Sequence, residues 1–251
     1  MREWRQAAAT LIEAAIPDDA GAPQTWPVCA ALLPHAQAAL GEHTGGMARL
    51  ANYLGERGRY GPALELQRRV LGAQQRLLGV DHPGALDTQH ILARCTGEAG
   101  DPAAARDQFA ALLPIRERVL GPEHPDTLHT RRNLAYWTGE AGDPAAARDL
   151  LTALLPIRER VLGPGHPDTL DTRNILAYWT GMAGDPAAAR DQLTGLPAPA
   201  YWTSRGNSDQ PCKVRFPLLR TETRGVVVHP GRRSSRQMRM RPPGCLDYLA
   251  E

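Results

Sequence analysis

LGPEHPDTLHTRRNLAYWTGEAGDPAAARDLLTALLPIRERV, residues 120–161, recurs on both sides of itself. A Leu-Gly pair opens at Leu78, Leu120 and Leu162, so the period is 42 residues. Residues 120–151 match 162–193 at 26 of 32 positions, and 96–120 match 138–162 at 22 of 25. A fixed period of this length marks stacked modules, none of which can bury its apolar face alone.

One copy contains its own punctuation. Pro125 suits a first helical position, where its missing N–H costs nothing, and Asp126 places negative charge in the positive first turn. Leu128, Leu134, Ala135 and Trp137 follow at helical spacing, with Thr138 and Ala141 as small contacts. Gly142 can take the left-handed conformation that ends a helix, Asp143 can cap the next one, and Pro144 can begin it. The second helix carries Ala147, Leu151, Leu154, Leu155 and Val161 at spacings of three, four and seven. Pro156, echoed at Pro114 and Pro34, removes a backbone donor inside this helix, a cost of roughly 3 kcal/mol in isolation. A kink or break is expected there, with the freed carbonyl facing solvent.

These copies resemble tetratricopeptide repeats (TPR) in the 42-residue form of kinesin light chains. The residues that carry the resemblance are Leu134, Ala135, Gly142, Asp143, Ala147 and Leu151. Upstream they are Leu92, Ala93, Gly100, Asp101, Ala105 and Phe109; downstream, Leu176, Ala177, Gly184, Asp185, Ala189 and Leu193. An older copy shows Leu50, Ala51, Gly58, Tyr60 and Ala63. The chain departs from the family where Thr96, Thr138 and Thr180 stand for an aromatic, and where Pro102, Pro144 and Pro186 stand for another. The resemblance implies an all-α, right-handed superhelical solenoid of antiparallel helix pairs.

Three regions are expected. Residues 1–43 read as a diverged helix pair, with Trp4, Ala8, Leu11, Ile12 and Ala15 on one side of a helix over 2–15. Residues 44–196 hold three clear repeats and a truncated fourth. Residues 197–251 carry a net charge of +6 against −4 for the rest, and only 9 of these 55 residues are Leu, Ile, Val or Phe. Too little apolar surface is available there to offset chain entropy, so a disordered basic C-terminal tail is expected. The leader also resembles the segment that follows the nucleotide-binding module in NB-ARC/TPR signalling proteins of actinobacteria. No GxxxxGK[ST] stretch accompanies it.

Composition narrows the class further. Only two Phe among 251 residues, with an apolar set of Leu and Ala, fit helices better than sheets. Cys29, Cys95, Cys212 and Cys245 show no CxxC spacing and no secretion signal precedes them, so reduced thiols in a cytoplasmic protein are expected. The N-terminal apolar run is too short for a membrane span and is interrupted by Glu13.

The resemblance implies a concave groove lined by the first helix of each pair. Its outward positions would be Arg49 and Asn52, then His90, Ile91 and Arg94, then Arg132, Asn133 and Tyr136, then Asn174, Ile175 and Tyr178. Asn can grip a peptide backbone, Arg can fork onto carboxylates, and Tyr gives rigid contact area. A protein or peptide partner is therefore expected, without cofactor, metal or membrane.

Trp137 and Trp179, with Tyr53 and Cys95 in register, are expected to pack between repeats. His82, His124 and His166 would lie about 10 Å apart per step in a stack of helices, too far to share one ion, and are expected at turns. No GxSxG, HExxH or phosphate-cradling loop is present, so the chain reads as non-enzymatic. Two alternatives remain: the sensor half of a split or truncated NB-ARC-type ATPase, and nucleic-acid binding through GRRSSRQMRMR at 231–241. The second lacks interleaved aromatic residues. An array that ends without a polar capping helix predicts self-association or marginal stability at its C-terminal end.

Overall fold

The structure, a computed structural model, describes residues 2–194; the tail expected to be disordered lies outside them. Among the described residues there are ten α-helices and no strand. The leader forms α1 (Arg2–Ala15) and α2 (Trp26–Ala39), separated by a single 3-10 turn at Pro23–Thr25. The array then runs α3 (Gly45–Glu56), α4 (Tyr60–Leu78), α5 (Pro83–Glu98), α6 (Pro102–Leu120) and α7 (Pro125–Glu140). It continues with α8 (Pro144–Leu162), α9 (Pro167–Met182) and α10 (Pro186–Leu193). Each helix packs on the next, and α3, α5, α7 and α9 also touch in succession, as a stack of helix pairs requires. None of the described helices is long and apolar enough to cross a membrane.

The punctuation read from one copy operates as chemistry predicts. After α7, Gly142 takes φ +103°, and the N–H groups of Gly142 and Asp143 donate to the carbonyls of Gly139 and Thr138. This is the paired bond pattern that satisfies the last carbonyls of a helix. Asp143 Oδ1 then accepts from Ala146 N at 2.9 Å, capping α8. The three HP histidines of the array are caps as well. Nδ1 of His82, His124 and His166 accepts from the backbone N–H two residues on, at 3.1, 3.2 and 3.2 Å.

Burial between repeats supplies the core. Leu112, Leu128, Leu151 and Phe109 are fully buried, each contributing about 1.5–3 kcal/mol of transfer free energy. Trp137 and Trp179 are 5% and 3% exposed and pack against neighbouring copies. Trp137 lies over Gly97 and Trp179 over Gly139, where an added Cβ would sit 2.4 and 2.5 Å from the ring. Each glycine therefore lets a large ring of the next copy meet bare helix backbone.

The structure decides part of two expectations. Helices α2, α6 and α8 run unbroken through Pro34, Pro114 and Pro156, so the break expected as one of two outcomes does not occur. The residues whose carbonyls lose a donor, Ala30, Ala110 and Thr152, are all exposed, so water can satisfy them. The apolar side of α1 is only partly used: Ile12 packs against the core, while Trp4 is 81% exposed and Leu11 71%. The leader attaches through Ile12 and Ile16, and through Glu13 Oε1, which accepts from Gly46 N at 2.6 Å. A carboxylate at the start of α3 is favoured by the helix dipole.

Candidate partner-binding face

The first helices α3, α5, α7 and α9 stand side by side, so residues one period apart come within reach of each other. Their long polar side chains use that proximity. Arg94 Nη2 donates to Asn52 Oδ1 at 2.9 Å and to Glu56 Oε1 at 2.6 Å, tying α5 to α3. Asn133 Nδ2 lies 3.1 Å from His90 Nε2, tying α7 to α5. Arg132 Nε and Nη2 both reach Asp171 Oδ2, at 2.8 and 2.7 Å, tying α7 to α9. His129 Nε2 meets Asp168 Oδ2 at 3.3 Å between the same helices.

This changes the picture drawn from the sequence. Asn52, His90, Arg94 and Asn133 do not stand outward; they are only 7–9% exposed. Each lies across to the neighbouring helix, where a polar partner waits, rather than into open space. Ile175 is buried too, at 2%. Arg49, Ile91, Arg132, Tyr136, Asn174 and Tyr178 keep partial exposure. Tyr136 is held edge-on against Trp137 and Trp179, with centroids 5.0 and 6.1 Å away, and Tyr178 against Trp179 at 4.7 Å. These rings are fixed by packing and still reach the surface.

Electrostatics favour the charged form of Arg94 and of Asp168. Burial works against the Arg94 charge, but the Glu56 carboxylate and its hydrogen bond outweigh it and raise the pKa. Asp168 is held below the usual aspartate value, first by the hydrogen bond from His129, against the opposing effect of burial. The Arg94–Glu56 and Arg132–Asp171 pairs link neighbouring modules.

Two arginines that bind the modules together escaped notice in the sequence. Arg116 on α6 is 2% exposed, and Arg158 on α8 is 1% exposed. Arg116 Nη1 donates to Asp126 O and Thr130 Oγ1 at 2.9 and 3.1 Å, while Nη2 reaches Leu86 O and Asp87 Oδ1 at 3.2 and 2.7 Å. Its Nη1 also lies 3.4 Å from His90 Nδ1. Arg158 Nη1 repeats the pattern on Asp168 O and Thr172 Oγ1, at 2.7 and 2.9 Å. The available signal was their position on the apolar stripe of Leu112–Arg116 and Leu154–Arg158, where a charge needs internal partners.

A family model described as tetratricopeptide repeat matches residues 43–118, 103–160 and 140–194. No curated protein matches the chain. Among solved structures, a Podosopora anserina putative kinesin light chain with nearly identical TPR-like repeats is similar at 22% identity. A single-substitution form of it covers 76% of this chain and 90% of its own, with a TM-score of 0.58; a second structure of it gives 0.56 over the same shares. BtubC (BKLC) from P. vanneervenii is similar at 19% identity, over 68% of this chain and 69% of its own, with a TM-score of 0.56. These likenesses concern the fold.

Proposed function

The chain belongs to the tetratricopeptide repeat family, and from that premise we propose that it is a non-enzymatic protein–protein interaction module of the cytoplasm. The TPR fold generally serves contacts between proteins. Here the ligand would be an extended peptide or a partner helix laid along α3, α5, α7 and α9. One observation carries this reading: the position of Asn52, Arg94, Tyr136 and Tyr178, one period apart on α3, α5, α7 and α9, is polar or aromatic in every copy, and packing fixes both tyrosines. Arg49, Tyr136, Asn174 and Tyr178 would touch the ligand directly. Asn52, His90, Arg94, Arg132 and Asn133 would hold the wall in shape and exchange an internal bond for one to the peptide. Rigid aromatic contacts flanked by adaptable polar groups suit a peptide backbone.

A variant carrying Arg132→Ala, Asn133→Ala and Tyr136→Ala should lose most partner recovery in a pull-down from the source cell. Circular dichroism should show its helix content retained. Unchanged recovery would contradict a groove-bound partner.

The last of the described helices supports a second contact. No residue of α10 is buried, and Ala189 and Leu193 are partly exposed where their counterparts Ala147 and Leu151 are fully covered. A second copy covering this face would give a sedimentation coefficient that rises with protein concentration. A constant monomer value across that range would rule it out.

A further inference from the structure

The 42-residue register exposes a gap in the row of buried arginines. Arg158 and Arg116 stand one period apart, and one period earlier the position is Gln74 on α4. The partners that hold Arg116 have counterparts there as well. Asp126 O and Thr130 Oγ1 correspond to Gly84 O and Thr88 Oγ1, and the Thr88 hydroxyl donates to Gly84 O at 2.9 Å just as Thr130 donates to Asp126 O. Asp87 and His90, which flank the Arg116 guanidinium, are replaced by Gly45 and Ala48. A shorter side chain on α4 and two smaller ones on α3 leave space. That space is a cavity of about 320 Å³, walled by Gly45, Ala48, Gln74, Gly84 and Thr88.

The leader closes this cavity with acid. Asp18 and Asp19, from the loop after α1, join the wall, and Asp87 and Arg49 complete its charges. Arg49 is already matched, with Glu13 at 3.7 Å and Asp18 at 3.9 Å. Two acceptors around the cavity have no partner: Asp19 Oδ1, and Oε1 of Gln74, a residue only 3% exposed. A buried acceptor without a donor costs on the order of 1–3 kcal/mol, which a fitting ligand would recover. The volume is several times the roughly 30 Å³ share of one liquid water molecule.

We infer that this cavity receives the guanidinium of an arginine carried by the bound peptide. The acceptor set matches that ligand: a backbone carbonyl, a threonine hydroxyl and a carboxylate, the classes that hold Arg116 from inside, with the amide oxygen of Gln74 in addition. A planar fork with five donors can use several of them at once, whereas an ammonium meets fewer. The inference takes its ligand, a peptide, from the groove reading, and places the arginine at the end of the groove nearest the leader. The basic segment 231–241 of this same chain is a second source of the same chemistry.

Calorimetric titration of the full chain with acetyl-Gly-Arg-Gly-amide tests it, beside the lysine, citrulline and glutamate counterparts. Arginine should bind at least about tenfold more tightly than the others. In Gln74→Arg the new side chain should take Gly84 O and Thr88 Oγ1, raise the melting temperature and abolish binding. Should that variant fail to fold, Asp19→Asn decides: it should weaken arginine binding about tenfold. A full-length variant with Arg232, Arg233, Arg236, Arg239 and Arg241 changed to Gln separates the sources, since tighter peptide binding by it identifies the chain's own arginines as occupants. Equal binding of the four peptides, no arginine binding in either full-length form, or unchanged affinity in folded Gln74→Arg would overturn the inference. Arginine binding that survives the Arg132, Asn133 and Tyr136 triple substitution while partner recovery does not would show that the two sites act separately.

Discussion

Replacing Trp137 with alanine should lower the denaturation midpoint more than any other single change in the array, with a loss of about 3–5 kcal/mol. The indole is 5% exposed and fills the space between Gly97 of one copy and Ala105 and Phe109 of the same stack. Its Nε1 makes no hydrogen bond, so the loss measures packing alone. Gly97→Val should also destabilise, because its Cβ would stand 2.4 Å from the ring. Combining the two changes makes the account specific. Valine at 97 enters space that the indole has left, so the double variant should lose less than the sum of the single losses. A coupling of about 1 kcal/mol or more is within the range for touching residues. Urea titration followed by circular dichroism reads all three variants. Strict additivity would mean that the glycine and the tryptophan do not meet.

Arg116→Ala should be the next most damaging change, at about 2–4 kcal/mol. It leaves the carbonyls of Leu86 and Asp126 without their guanidinium donors and removes the bridge from α6 to both α5 and α7. Asp87 stays half hydrated, with its side chain 61% exposed, which keeps the cost below that of stranding a fully buried charge. Arg116→Met separates the contributions, since it keeps much of the stem's packing while losing every polar contact. It should recover part of the loss but not all. A methionine variant as stable as the parent protein would show that the buried guanidinium contributes nothing net, an outcome known for some buried ion pairs.

The punctuation of the fold was legible because it is local. Gly142, Asp143 and Pro144 act on backbone groups within a few residues of themselves, and His124 caps the helix it precedes. The tryptophans were legible because large rings at helical spacing have few places to go. The side chains of the proposed binding face could be listed from the sequence, but their exposure could not. Whether Arg94 points outward depends on how closely α3 stands to α5 and on Glu56, a residue 38 positions away. One copy read alone carries no information about that distance. The solvent-facing residues opposite the prolines were legible as well; what one copy alone left open was whether the helix would break there. The cavity beside Gln74 could have been found by asking where the buried arginine of the repeat is missing, but that question arises only after Arg116 is seen to be buried.

The claim on which the rest depends is that the face built by α3, α5, α7 and α9 is where another polypeptide lies. Hydrogen–deuterium exchange on the full chain, with and without a peptide selected from a random displayed library, tests it most directly. The account predicts slowed exchange on those four helices, with side-chain loss of binding in the Arg132, Asn133 and Tyr136 variant. Slowed exchange confined to α4, α6 and α8, with the first helices unchanged, would contradict it.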